Sequence, residues 1–309
     1  MSRAPLGIAE LCDRGTAVLL ACPVRGCDGL NPCPTHHLKV HKTRGGFTYV
    51  YEDFYDNLLW RDSEDRRRLD AILEVKRESR MENEHSEDAV TWNVFRFFER
   101  RNLLSSALGN LFPCPHGEPL AIFWTARDRC VWDPYRSCCK KHFSEPVLSE
   151  LDVIFMWPQE MLVIVEAKFR SSNRSDPSVR SEELRKSERY IQGASQYLNR
   201  DKAYDSVRDG YYQLLRNWAI GTRLKEDLGC KTFVLANLLR KRHEHIHHED
   251  PLKQFAQPAC KLSSECNFVV GYWEDLIGAA GTCHSDSTLL ISWARNKSEL
   301  LGKPAFDFH

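Results

Sequence analysis

The sequence predicts an α/β fold, a mixed β-sheet core flanked by helices and preceded by a Cys/His-rich segment over residues 1–46. Two observations carry that prediction. The chain has 309 residues, 42% hydrophobic and 28% charged, the profile of a globular protein with enough apolar material for a large core. Short apolar runs bounded by turn residues recur through its middle and alternate with longer stretches whose apolar residues repeat at helical spacing.

Residues 1–46 are rich in Pro, Gly, Cys and His with no long periodic segment, so they read as loops; residues 47–309 read as one main domain. Phe47 to Tyr51 is a short β-like run, and Asp62 to about Met81 a charged helix with Leu69, Ile72, Leu73 and Val75 as its apolar positions. Ser86 has the character of an N-cap for a helix running to about Arg100, with Glu87 and Asp88 in the first turn, where the helix dipole favours negative charge. Val90, Val94, Phe97 and Phe98 mark the buried stripe of that helix, and Glu87, three residues before Val90, is expected on the same inward side.

Residues 119–124 and 151–157 are strand candidates, and Met161 to Val165 follows Pro158-Gln159-Glu160 as the second arm of a strand pair. Asp176 to Asn199 and Tyr204 to Leu228 read as helices, Phe233 to Leu238 and Phe268 to Trp273 as strands, and Thr288 to Leu301 as a final helix.

Charge by itself identifies no partner, because 43 Lys and Arg balance 43 Asp and Glu. The basic clusters Arg66-Arg67-Arg68, Lys140-Lys141 and Arg240-Lys241-Arg242 are dispersed and read as solvated surface. No run approaches the roughly 20 apolar residues of a membrane span, and the best N-terminal run, Thr16 to Val24, follows Glu10, Asp13 and Arg14. The expectation is a cytoplasmic chain whose twelve cysteines are thiols or metal ligands rather than disulfides.

The chemistry concentrates in two segments, Ser149-Glu150-Leu151-Asp152-Val153-Ile154 and Val163-Ile164-Val165-Glu166-Ala167-Lys168. On neighbouring antiparallel strands Asp152 and Glu166 would sit on adjacent backbones, and strand alternation projects Glu166 and Lys168 from one face. Glu150 is the less favoured acid, expected to face solvent. Buried charges of this kind are costly unless a cation and a substrate satisfy them, and a small set of carboxylate oxygens suits Mg²⁺ or Mn²⁺.

Asp152, thirteen intervening residues and Glu166-Ala167-Lys168 at the end of an apolar strand resemble the signature of the PD-(D/E)XK nuclease superfamily. Leu151 stands where the family name has proline. The resemblance spans about Ser86 to Arg216 and implies a restriction-endonuclease-like sheet and metal-dependent hydrolysis of phosphodiesters, DNA above all, in a restriction-like or defence setting. It implies that Asp152 and Glu166 hold the metal, that Glu87 completes or orients its shell, and that Lys168 acts on the attacking water. It further implies a polar residue from the helix after the lysine, with Gln192 the first choice and Gln213 the alternative left open, and a homo-oligomer, with an accessory subunit as an option.

A second expectation concerns Cys22-x4-Cys27-x5-Cys33-x3-His37, whose ligand types and spacing suit a structural Zn²⁺, with Cys12, His36 and His41 as substitutes. Reduced cysteines packed as small hydrophobes explain the pattern equally well. Cys130, Cys138, Cys139 and His142 form a less regular cluster that Cys114 and His116 could join, and the histidines of residues 243–248 read as an exposed loop. The rival reading is a zinc-dependent nucleic-acid-binding protein with a catalytically inert core, and a further one an enzyme acting on another phosphate ester.

Overall fold

The structure is a computed structural model describing residues 38–43, 46–241, 250–283, 287–300 and 303–308. It opens with a hairpin of β1 (Leu38–Thr43) and β2 (Gly46–Tyr51), so the division at residues 46 and 47 falls within a strand pair. Helix α1 (Ser63–Leu73) is capped by Asp62, whose carboxylate accepts from the Asp65 N–H at 3.0 Å. It stops eight residues short of the predicted Met81, because after Val75 no apolar residue falls at helical spacing. Lys76 and Arg77 turn instead toward Glu150, which accepts from the Lys76 ammonium at 3.2 Å and the Arg77 N–H at 2.8 Å. Helix α2 (Glu87–Arg100) begins where the sequence predicts, with Ser86 Oγ accepting from the Ala89 N–H.

There follow α3 (Leu104–Leu108), β3 (Leu120–Phe123), the two-residue strands β4 (Ala126–Arg127) and β5 (Cys130–Val131), α4 (Asp133–Phe143), β6 (Val153–Trp157) and β7 (Met161–Ala167). Next come α5 (Arg180–Gly193), α6 (Arg200–Arg208), α7 (Tyr212–Asp227), β8 (Thr232–Leu239), β9 (Cys266–Tyr272), α8 (Trp273–Cys283), α9 (Ser287–Asn296), and a small pair, β10 (Ser298–Leu300) with β11 (Lys303–Pro304).

The core is a seven-stranded sheet in the order β5-β4-β3-β6-β7-β8-β9, antiparallel up to β7 and parallel from β7 to β9. This is the restriction-endonuclease-like α/β architecture the sequence implied. Strand alternation sorts its side chains into two cores. Val153, Phe155, Val163, Val165 and Ala236 pack against α2, α8 and α9, while Ile154, Leu162, Ile164, Phe233 and Leu235 pack against α4, α5 and α7. All seven residues of β7 are buried, as expected of a central strand covered on both faces.

The predicted helix from Tyr204 to Leu228 is two helices, broken at Gly210, whose φ of +99° suits glycine and ends α6. The predicted helix from Thr288 to Leu301 ends at Asn296. Trp273, the expected end of a strand, is the first residue of α8. Among the described residues no helix is long and apolar enough to cross a membrane.

Candidate active site

Val153 of β6 pairs with Val165 of β7, so one further step of the register sets Asp152 opposite Glu166. Directly opposed residues on antiparallel strands hold their Cβ atoms about 4.5–5.5 Å apart. The same alternation puts Asp152, Glu166 and Lys168 on the face of Ile154 and Ile164, the one covered by α7.

Helix α7 lies close enough to meet them because residue 221 is glycine; a Cβ there would stand 2.1 Å from the Phe233 ring. Its Asn217 amide donates to Glu166 Oε2 at 2.5 Å. The Lys168 ammonium sits 2.6 Å from Glu166 Oε1 and donates to Gln213 Oε1 at 2.9 Å. Asp152 Oδ2 accepts the Ala167 N–H at 2.8 Å. Around the strand exit, Asn237 of β8 donates to the Glu166 carbonyl at 3.1 Å and exchanges amide hydrogen bonds with Asn173. The Trp273 indole donates to the Lys168 carbonyl at 3.0 Å. The triad is therefore held from the strand, the helix and the neighbouring parallel strand at once.

Glu166 and Lys168 are only 3% and 5% exposed, so each depends on the other for compensation. Burial, reinforced by the Glu166 charge, pushes the Asp152 carboxyl up to about 8, against the pull of Lys168 and the Ala167 N–H. Burial alone would lower the Lys168 ammonium, but Glu166, Glu87 and Asp152 outweigh it and raise it above the usual lysine range. Three carboxyls act on Lys168, and with Arg216 the only other cation acting on Glu166 the cluster is still short of positive charge among the described residues.

Glu87, at the first position of α2, is half-buried. Its Oε1 accepts from Ser171 Oγ at 2.6 Å and from the N–H groups of Phe169, Arg170 and Ser171 at 3.1, 3.4 and 3.2 Å. Burial raises its pKa, yet Lys168, the Ser171 hydroxyl and these N–H groups together bring it below the ordinary glutamate value. It organises the loop leaving β7 and sits within the field of Lys168. Glu150 is bound to Lys76 and Arg77 and stands outside the triad.

Of the two glutamines, Gln213 joins the cluster and Gln192 does not. Gln192 is exposed on α5, off the stripe of Ser187, Tyr190 and Ile191, with its amide on Glu188. If Gln213 holds the lysine for its task, Gln213→Ala should lower turnover about 10-fold or more, since misplacing a reacting group by ~1 Å can cost 10²-fold. Gln192→Ala should leave it within twofold; equal effects in a steady-state assay would remove Gln213 from the site.

Sequence reasoning missed Asn217 and Asn237. The signal for Asn217 was present: a polar residue among Leu214, Leu215 and Trp218 on an otherwise buried helix. Asn237, inside the apolar run Phe233–Leu239, was visible in the same way.

Beside the triad lies a cleft of about 750 Å³, with Asp152, Gln213 and Arg216 in its wall together with residues of α5 and of the segment before β6. A separate cleft of about 610 Å³, between α1 and the β3–β5 edge, contains none of the triad.

The zinc expectation at Cys22, Cys27, Cys33 and His37 lies outside the described residues, as do Cys12, His36 and residues 243–248. Of the second Cys/His cluster, Cys138 and His142 come together with Asp227, their ligand atoms within 4.8 Å of one another. Asp227 is already bound there by Lys141 at 2.6 Å and His142 at 3.0 Å. Cys139 points instead toward Tyr135 and Glu145, and Cys130 is exposed on β5.

A family model described as Restriction Endonuclease associating with ARP matches residues 34–290. No curated protein and no solved structure matches the chain.

Proposed function

Since the chain belongs to the family described as Restriction Endonuclease associating with ARP, with a fold of the PD-(D/E)XK type, we propose that it is a Mg²⁺- or Mn²⁺-dependent nuclease cleaving phosphodiester bonds. The observation that carries this reading is the opposition of Asp152 and Glu166 on paired strands, with Lys168 on the same face and Gln213 and Asn217 fixing the geometry.

The donor set fits a hard divalent cation: carboxylate oxygens, with no thiolate or imidazole beside them among the described residues, and Asp152 raised by burial and then by the second carboxyl next to it. Asp152 and Glu166 would hold the ion, which when bound supplies an acidified water and neutralises charge on the phosphate. Glu87, with one oxygen committed to the loop after β7, would orient this shell. Lys168 remains an ammonium, so its task is to donate a hydrogen bond to the attacking water or to a phosphoryl oxygen as charge grows there. Gln213 and Glu166 hold that ammonium in one place.

DNA is the proposed substrate and a restriction-like or defence role the proposed setting, on the strength of the family description. A homo-oligomer would allow both strands to be cut.

The test is cleavage of plasmid, linear DNA and RNA in Mg²⁺ or Mn²⁺, with and without chelator. Activity should vanish with chelator. Because Asp152 must lose its proton to bind the ion, the metal concentration for half-maximal rate should fall about tenfold per pH unit up to pH 8, where it levels off. The linkage has a matching sign in the metal-free protein: stability from neutral Asp152 is full below the unfolded carboxyl pKa and is lost as pH rises to about 8. Tight nucleic-acid binding with no cleavage in either metal would replace this reading with that of an inert core.

A further inference from the structure

Gln213, Arg216 and Asn217 lie at i, i+3 and i+4 on one face of α7. The outer two hydrogen-bond Lys168 and Glu166, whereas Arg216 hydrogen-bonds neither and only shares the field of Glu166. Its Nε donates to Asn217 Oδ1 at 3.1 Å and its Nη2 makes a long contact of 3.4 Å with the Glu150 carbonyl. Its Nη1 has no hydrogen-bond partner among the described residues, although the side chain is half-buried in the wall of the cleft that contains Asp152.

Arg189, on α5, lines the same cleft and makes no hydrogen bond or ion pair with the described residues. Lys186, one turn earlier, lines it too and reaches Glu182 at 2.6 Å. Two of the acids in the cleft are engaged: Glu150 to Lys76 and Arg77, and Glu145 through Oε1 to Tyr190 and Ser149, while its buried Oε2 has no hydrogen-bond partner among the described residues. Glu78 stands exposed in the lining. The unfilled donors of Arg189 and of Arg216 Nη1 in the cleft that holds Asp152 call for anions with several acceptor oxygens, which planar donor forks match in pairs.

The aromatic residues there offer no stacking surface. Tyr190 and Tyr212 are 2% and 9% exposed, and the Tyr190 hydroxyl donates to Glu145 at 2.6 Å. Stacking of unpaired bases needs open ring faces. The cleft presents charge without them.

Resting on the nuclease reading above, we propose that this cleft is a clamp for the sugar–phosphate backbone rather than a stacking platform for bases. Arg216 contacts the non-bridging oxygens of the phosphate beside Asp152, and Arg189 contacts a neighbouring phosphate. Arg216 is then a catalytic residue whose contact strengthens as charge develops, whereas Arg189 binds ground state and transition state alike.

The experiment measures affinity for oligonucleotides of several sequences, with chelator present to prevent cleavage, across a salt series, for wild type, Arg216→Ala, Arg216→Lys and Arg189→Ala. Each alanine variant should flatten the log K against log salt slope by about 0.7 to 0.9, the loss expected of one phosphate contact, equally for every sequence. In Mg²⁺, Arg216→Ala should lower kcat by about 10²–10³-fold, with partial recovery in Arg216→Lys, and Arg189→Ala should raise KM with kcat unchanged. Thermal unfolding of each variant, with Arg216→Gln as the milder replacement, separates loss of fold from loss of contact. An unchanged salt slope, or a loss confined to certain sequences, overturns the clamp. A wild type that binds with the expected slope and never cleaves keeps the clamp and loses the nuclease; one that cleaves at full rate as Arg216→Ala loses the clamp and keeps the nuclease. A chain that neither binds nor cleaves loses both.

Discussion

Asp152→Asn is expected to abolish phosphodiester cleavage, by about 10³-fold or more, while making the metal-free protein more stable rather than less. The loss follows from removing one of only two opposed carboxylates able to hold a divalent ion. The gain follows from the cost the native residue bears: burial and the Glu166 charge both oppose its ionisation, and the neutral amide escapes both. The amide oxygen can still accept the Ala167 N–H, so the strand exit keeps its hydrogen bond. Opposite signs for activity and stability distinguish a residue kept for chemistry from one kept for packing.

Denaturant unfolding at pH 8 in chelator reads the stability, and plasmid cleavage in Mg²⁺ reads the activity. A less stable Asp152→Asn protein would mean that the aspartate is structural. Lys168→Ala is the companion variant. It too should lose about 10³-fold in rate, but it removes the ammonium paired with Glu166 and leaves that carboxylate only Asn217 and the more distant Arg216 charge, so it should be destabilised without metal and recover when Mn²⁺ is added. Full cutting by either variant would end the proposed roles.

Lys297→Ala should produce the largest loss of stability outside the site. Lys297 and Glu84 are each 1% exposed, with the ammonium 3.5 Å from the carboxylate and 2.9 Å from Asn57 Oδ1, and the Tyr51 hydroxyl donates to the same Glu84 oxygen. Burial drives the Lys297 pKa down and Glu84 pulls it partly back. Deleting one partner of such a pair leaves a buried charge uncompensated and costs about 3–5 kcal/mol. Lys297→Met combined with Glu84→Gln should recover much of that loss, because neutralising both partners together removes the unmatched charge. Equal losses in the single and double variants, measured by denaturant unfolding, would show that packing against Trp293 matters more than charge. The pair ties the segment before α2 to the end of α9, and its partners stand 213 residues apart.

The apolar runs and the lone Asp and Glu-x-Lys among them were legible in the sequence because strand alternation is local: residues two apart must share a face, so Glu166 and Lys168 were bound to converge once β7 formed. The start of α2 was legible for a similar reason, since Ser86 caps its helix through a hydrogen bond only three residues away. Helix ends were less so. Gly210 breaks a continuous helical pattern by its backbone conformation, and the end of α1 depends on Lys76 and Arg77 finding Glu150 more than 70 residues on.

The sequence by itself determined the sheet, the triad and the face it occupies, because periodicity and apolar patterning act over a few residues. Tertiary structure alone decided that Gln213 rather than Gln192 meets the lysine, that Asn217 meets Glu166, and that Arg216 faces the cleft. Those outcomes depend on how α7 rotates and how closely Gly221 lets it settle on β8, and packing between elements far apart in the chain leaves no period in the sequence to read.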